Sequence, residues 1–177
     1  VEKHDQRLRF EQLILPHLDA AYNLAYWLIH NDQDAQDMVQ EAYLRAFRFF
    51  QGFRGGDGRV WLLTIVRNTC YTWLQQRRTD ELTIPFEEEL HDLECDALNP
   101  EVLHLHRIDQ QRLKDALGAL PVEFREVMIL RELEELSYKE ISAVAHVPLG
   151  TVMSRLARAR KWLQRYLADE MNEEKKI

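Results

Sequence analysis

The sequence predicts an all-α protein: two small helical domains joined by an acidic linker, the second ending in a helix-turn-helix. Three observations carry this. Apolar residues recur at three- and four-residue spacing on both sides of residues 81–101, and no segment sustains strand alternation. Six glycines and five prolines are too few for a strand-and-turn protein. Residues 81–101 lack helical periodicity, contain Pro85 and Pro100, and hold eight acids with no Lys or Arg. A stretch of that kind is uncommon inside one compact unit. The boundaries therefore fall at 1–80, 81–101 and 102–177.

The elements follow in order. Leu18, Ala21, Tyr22, Ala25, Leu28 and Ile29 form one helical stripe, which Pro16 either starts or kinks. Ala35, Met38, Val39, Ala42, Ala46, Phe49 and Phe50 form a second, behind a cap at Asn31 or Asp32. The run Gly52–Gly58 breaks the chain. Leu62, Ile65, Val66, Thr69 and Trp73 then mark a third helix over Arg59–Arg78. In the second half Pro121 suits the first position of a helix containing Phe124, Val127 and Met128. Ser137 and Glu140 have capping-box spacing, which predicts a short helix from Tyr138 to Ala145. His146-Val147-Pro148 turns the chain, and a last helix from about Pro148–Gly150 buries Val152, Leu156, Ala159, Leu163 and Tyr166.

Length, charge and cysteine content narrow the function. The 177 residues are 46% hydrophobic and 30% charged, a globular composition. Two cysteines, Cys70 and Cys95, exclude a disulfide framework and point to a reducing, cytoplasmic setting. No apolar run approaches a membrane span, and no signal peptide is expected. The net charge of -7 argues against nucleic acid only until it is resolved along the chain. Residues 41–80 carry seven arginines against three acids, and residues 137–168 carry six basic residues against one acid. Two basic blocks flank an acidic segment, and that distribution is the better guide to partners.

On the last helix Thr151, Ser154, Arg155, Arg158 and Arg165 face away from the apolar stripe. A helix-turn-helix lays such a face in the major groove, where Arg155 and Arg158 can each pair bidentately with guanine. The alternative is a solvated arginine-rich face. Thr64, Arg67, Tyr71, Gln75 and Arg78 form an outer stripe on the third helix, with Asn68 beside it. Cations there suit phosphates and aromatics suit unpaired bases. The glycine-rich loop before it, with Phe50 and Phe53 at its base, can admit a base drawn out of the duplex. Phe50 and Trp73 read better as core residues. Asp34, Asp37, Glu41, Arg45 and Arg48 share a face with Leu44, which by pattern alone reads as a scattered surface leucine. His91, Cys95, His104 and His106 lack the paired spacing of a structural zinc site. Neither a metal nor another cofactor is expected, and no nucleophile triad or phosphate-cradling motif occurs.

Five ordered motifs then carry a resemblance over roughly Leu13–Leu167. They are D-A-Q-D-M-V-Q-E at 34–41, F-R-G-G-D-G-R-V-W-L-L-T-I-V-R-N at 53–68 and L-P-V-E-F-R-E-V at 120–127. L-S-Y-K-E-I-S at 136–142 and V-P-L-G-T-V-M-S-R-L-A-R-A-R at 147–160 complete the set. Each is weak alone; together, in this order, they resemble the extracytoplasmic-function class of bacterial sigma factors. The resemblance implies a transcription initiation factor, not an enzyme, with core RNA polymerase and promoter DNA as partners and no small-molecule substrate. It implies that Asp34, Asp37, Gln40, Glu41 and Leu44 contact the polymerase clamp, against the pattern reading of Leu44. It implies that Gly55, Gly56, Asp57, Arg59, Arg67, Asn68, Tyr71 and Arg78 serve the −10 element. It assigns Thr151, Ser154, Arg155, Arg158 and Lys161 to the −35 element. An anti-sigma factor, soluble or membrane-bound, is expected. The acidic linker, with Glu87–Glu89, would thread a basic channel of the polymerase as a nucleic-acid mimic.

His146 stands where members often have Gly, and Met153 where they often have Lys or Arg. The rival readings are a stand-alone helix-turn-helix regulator, which needs a dimer interface, and a helical metalloenzyme using the His and Cys residues above. A net-acidic chain with two modest basic faces is expected to bind DNA poorly alone and to become specific only when polymerase joins both readers.

Overall fold

In the computed structural model, which describes residues 2–80 and 110–174, every regular element is a helix. The first half holds α1 (Glu2–Leu13), α2 (Leu18–Ile29), α3 (Asp32–Phe49) and α4 (Gly58–Asp80). The second holds α5 (Gln110–Ala119), α6 (Val122–Glu132), α7 (Tyr138–Ala145) and α8 (Leu149–Glu174). The acidic segment 81–101 and His91, Cys95, His104 and His106 lie outside the described residues. No group of three or more His, Cys, Asp or Glu able to hold a metal occurs among the described residues.

Local sequence explains each boundary. Pro16 neither starts nor kinks α2; it sits in a single 3-10 turn, Leu15–His17, that separates α1 from α2. Asn31 is the cap of α3, its side-chain oxygen accepting from the Asp34 N–H at 3.0 Å. Asp57 caps α4, accepting from the N–H groups of Arg59 at 2.8 Å and Val60 at 3.2 Å. Gly58 is held against α1, where an added Cβ would lie 2.7 Å from the Leu13 carbonyl oxygen. Pro121 precedes its helix by one residue, with extended ψ of 143°. Its carbonyl accepts from Phe124 and Arg125, so it caps α6 instead of opening it. The Ser137–Glu140 capping box forms in both directions.

The turn into α8 forms without glycine. His146 takes a left-handed conformation, φ 54°, at a modest backbone cost. Its neighbour Val147 is held on both sides, its N–H donating to the Ser142 carbonyl and its carbonyl accepting from the Ser142 hydroxyl at 2.6 Å. That second bond fixes the turn geometry.

Two helices had no counterpart among the expected elements, α1 and α5. Charges ring α1 on most sides, so its stripe is faint; Phe10 is its one deeply buried aromatic, packed edge-on against Phe47 and Phe50. The apolar interior runs through both halves. Leu24, Leu28, Leu62, Leu63 and Val66 are buried in the first, and Val127, Leu130, Ile141, Val152, Leu156 and Leu163 in the second. The halves also touch each other: α2 packs on α6, and α4 on α7. No helix among the described residues is long and apolar enough to cross a membrane.

Candidate nucleic-acid and polymerase interfaces

The residues assigned to the −10 element divide into two groups. Gly55, Gly56, Asn68 and Arg78 are exposed. Gly55 and Gly56 have φ of 96° and 102°, a conformation side chains rarely adopt, with open space around them. Their loop faces α7 across an open groove of about 810 Å³, floored by Phe53, Val60 and Trp61 and edged by Arg54 and Lys139. Asp57 is committed locally as the cap of α4.

Arg59, Arg67 and Tyr71 point instead at the second half. Arg67 donates from Nε to Glu126 at 2.6 Å, and the Tyr71 hydroxyl donates to the other Glu126 oxygen at 2.8 Å. The Glu126 side chain is 0% exposed. The Arg67 guanidinium also lies over the Tyr71 ring, 4.0 Å from its centre. Burial alone would lower the Arg67 pKa, but the Glu126 carboxylate outweighs it and holds the cation firmly. Burial and then Glu126 raise the Tyr71 pKa, so it stays a neutral donor. Arg59 pairs with Glu134 at 2.8 Å and also donates to the Glu134 carbonyl, while Asn23 donates to the same carboxylate at 3.2 Å.

Sequence reasoning missed these carboxylates and their neighbour Arg125. Arg125 and Glu126 are adjacent on α6, directly before the apolar run Val127–Leu130, and both are buried. Among three charges in four residues, Glu123 to Glu126, no local pattern marks these two as the buried ones, and buried charges are retained only with partners. They do not pair with each other. Arg125 fans out to four carbonyls, those of Leu117, Gly118, Leu120 and Trp27, at 2.7–2.9 Å. It thereby closes the C-terminal end of α5 and ties α6 to α2. Burial pushes its pKa down to about 10, so it remains charged at neutral pH.

His30 belongs to the same contact. It ends α2 with φ 59° and stands against Gly118, where an added Cβ would lie 3.4 Å from its ring. Burial, and then the Arg125 charge, lower its pKa from 6.5. The neutral ring fits the closed packing, so this contribution is complete above 6.5 and is lost as pH falls below it. The urea midpoint is therefore expected to drop between about pH 7.5 and 5.5, and His30→Gln to flatten that slope. A slope unchanged in His30→Gln would remove His30 as its source.

The residues assigned to the −35 element lie on the first turns of α8. Thr151, Ser154, Arg155, Arg158 and Lys161 are all half-buried. Among the described residues Arg155, Arg158 and Lys161 make no ion pair, and the Arg158 Nε is shielded from solvent with no acceptor. Arg160, on the flank, is occupied by Glu132 at 3.0 Å. Leu149 and Met153 add exposed apolar surface beside them.

The face assigned to polymerase is open. Asp37, Gln40 and Leu44 are exposed, Leu44 at 64%. Glu41 pairs with Arg45 at 2.8 Å, and Asp34 lies 3.7 Å from Arg77. Beside them runs an apolar groove of about 470 Å³ lined by Phe10, Leu15, Leu18, Val39, Leu44 and Phe47. Of these, Leu15, Leu18, Leu44 and Phe47 are exposed. Such a concentration marks an interaction surface. Cys70, by contrast, is fully buried, and burial pushes its thiol up to about 12, so it is inert.

Comparison with known proteins agrees with this arrangement. The family model described as Sigma-70 region 2 matches residues 13–79, and that described as Sigma-70 region 4 matches residues 110–163. The chain is 37% identical over 166 residues to the ECF RNA polymerase sigma factor SigE of Mycolicibacterium smegmatis, covering 93% of this chain and 63% of that one. It is 33% identical over 181 residues to the RNA polymerase sigma-H factor of Pseudomonas aeruginosa, covering 98% and 93%. Among solved structures it is similar to the sigma factor RpoE bound to the anti-sigma factor NepR from Bartonella quintana. The TM-score there is 0.71 at 30% identity, over 90% of this chain and 97% of that one. It is also similar to CnrH in complex with the cytosolic domain of CnrY, with a TM-score of 0.64 at 25% identity, over 92% and 90%. With both regions matched in order, and 34% identity to the ECF RNA polymerase sigma-E factor of Escherichia coli over 91% of this chain and 87% of that one, the chain belongs to the extracytoplasmic-function class of RNA polymerase sigma factors, which are transcription initiation factors and not enzymes.

Proposed function

We propose that the chain docks on core RNA polymerase through α3 and delivers two DNA readers to the promoter. Asp34, Asp37, Gln40, Glu41 and Leu44 form the docking face. The Gly55–Asp57 loop and α4, with Arg59, Arg67, Asn68, Tyr71 and Arg78, serve the −10 element. The start of α8, with Thr151, Ser154, Arg155, Arg158 and Lys161, reads the −35 element. The observation that carries this is the match of region 2 and region 4 models in order, with cations free of ion pairs on the first turns of α8. The residues 1–80 and 102–177 act as two domains, and the cytoplasm, where polymerase works, is the site of action. An anti-sigma factor is the expected antagonist, as in the two similar complexes.

The test is transcription by the chain and core polymerase on a promoter library. Promoter-selective transcripts are expected. Leu44→Asp combined with Asp37→Arg is expected to lower polymerase affinity about 100-fold, since exposed anchors at the centre of a contact dominate its energy. Full transcription by that variant would overturn the assignment of α3.

A further inference from the structure

We propose that Met153 and Leu149 read thymine in the −35 element, each by packing against a C5 methyl group in the major groove. The inference rests on the assignment of α8 to the −35 element and names the base chemistry that this assignment leaves open.

Three large apolar side chains are exposed in the described part of the second half, and two of them, Leu149 at 48% and Met153 at 52%, lie one turn apart on α8. At four-residue spacing they share a face of the helix. Neither serves the packing of the chain, because Val152, Leu156 and Ala159 form the buried stripe of the same turns. From Thr151 to Lys161 Met153 is the one exposed residue, while Thr151, Ser154, Arg155, Arg158 and Lys161 are half-buried. Nothing in the chain crowds the tip: a Cβ added to Gly150 would meet no atom within 4 Å. The foremost surface of the reading helix is therefore apolar.

The flanking charge selects the occupant. From Leu149 to Leu167 the helix carries five basic residues, Arg155, Arg158, Arg160, Lys161 and Arg165, and no acid. Apolar side chains set among cations fit a polyanion that has apolar groups on its face. In the major groove the base edges present donors and acceptors, and the apolar group among them is the thymine methyl. Met153 and Arg155 are two residues apart, about 200° around the helix, so they face opposite walls of the groove. Arginine then takes guanine or phosphate on one side, and methionine takes a methyl on the other. The unbranched, flexible methionine side chain suits a methyl whose position shifts with local base-pair geometry.

The test uses the holoenzyme, the full chain with core polymerase, on promoters selected from the library. The selected −35 elements are expected to hold thymine beside guanine. Replacing that thymine by deoxyuridine removes one methyl and no hydrogen-bonding group. It is expected to lower transcription about fourfold, the effect of one buried methyl. Met153→Ala is expected to lower transcription from thymine promoters by a similar factor and to transcribe thymine and deoxyuridine promoters equally. Leu149→Ala is expected to do the same at a neighbouring position. Met153→Leu restores apolar reach and is expected to recover most of the preference.

Both side chains are exposed, so the alanine variants are expected to keep the Tm and the polymerase affinity of the unaltered chain. Equal transcription from thymine and deoxyuridine promoters by the unaltered chain overturns the proposal. A thymine preference that survives both alanine substitutions also overturns it. So does a loss in Met153→Ala that is the same on both promoters, the result expected if this surface meets polymerase or another protein. In each of these cases promoter-selective transcription leaves the −35 assignment standing. Absence of selective transcripts from the unaltered chain removes that assignment and this proposal with it.

Discussion

Replacing Arg155 and Arg158 together by alanine is expected to reduce transcription from the cognate −35 element by about 100-fold while polymerase association is unchanged. Each arginine, if bidentate to a guanine, carries on the order of 1–3 kcal/mol of discrimination, and two such contacts sum to that loss. The Arg158 Nε is shielded from solvent and has no acceptor within the chain. Neither side chain belongs to the core-facing stripe of Val152, Leu156 and Ala159, so thermal stability is expected to change little. Single substitutions separate the two, each relaxing the preference at one base position. Transcription from the library that keeps its promoter preference in the double variant would show that α8 does not read the element.

The second large effect is on stability. Arg125→Ala is expected to cost about 3 kcal/mol, because four carbonyls lose the donors that meet them. In a chain of this size that corresponds to a fall of about 6–12 °C in Tm. Arg125→Lys keeps the charge but has no planar fork with which to reach all four carbonyls, so it is expected to recover less than half of the loss. A Tm unchanged in Arg125→Ala would mean that water replaces the guanidinium at no cost.

The parts of the fold written in local chemistry were legible in the sequence. The Ser137–Glu140 box, the Asn31 cap and the stripes of α2, α3 and α8 depend on neighbours within a few residues, though Leu18 and Phe49, expected in those stripes, are exposed because each sits at a helix end beyond the packed turns. The helices that were missed lack such signals. Charges surround α1, and α5, a short helix, is closed not by a cap of its own but by Arg125 from α6. The same reasoning explains the site. Leu44, Asn68, Gly55 and Gly56, to which the resemblance assigns roles, are exposed. The pairing of Arg67 and Tyr71 with Glu126 spans 59 and 55 residues. No periodicity encodes a contact at that range, and the Arg125–Glu126 pair, with Glu123 just before it, reads locally as an ordinary charged helix turn.

The leucine- and phenylalanine-rich face around the groove beside α3 bears on how long the molecule survives in a cell. Leu15, Leu18, Leu44 and Phe47 stand in water when nothing covers them. Surface of this kind invites self-association and quality-control proteases as readily as it invites the proper partner. Copies made in excess of whatever covers that face are therefore expected to be cleared first, which a pulse-chase with and without added polymerase would check.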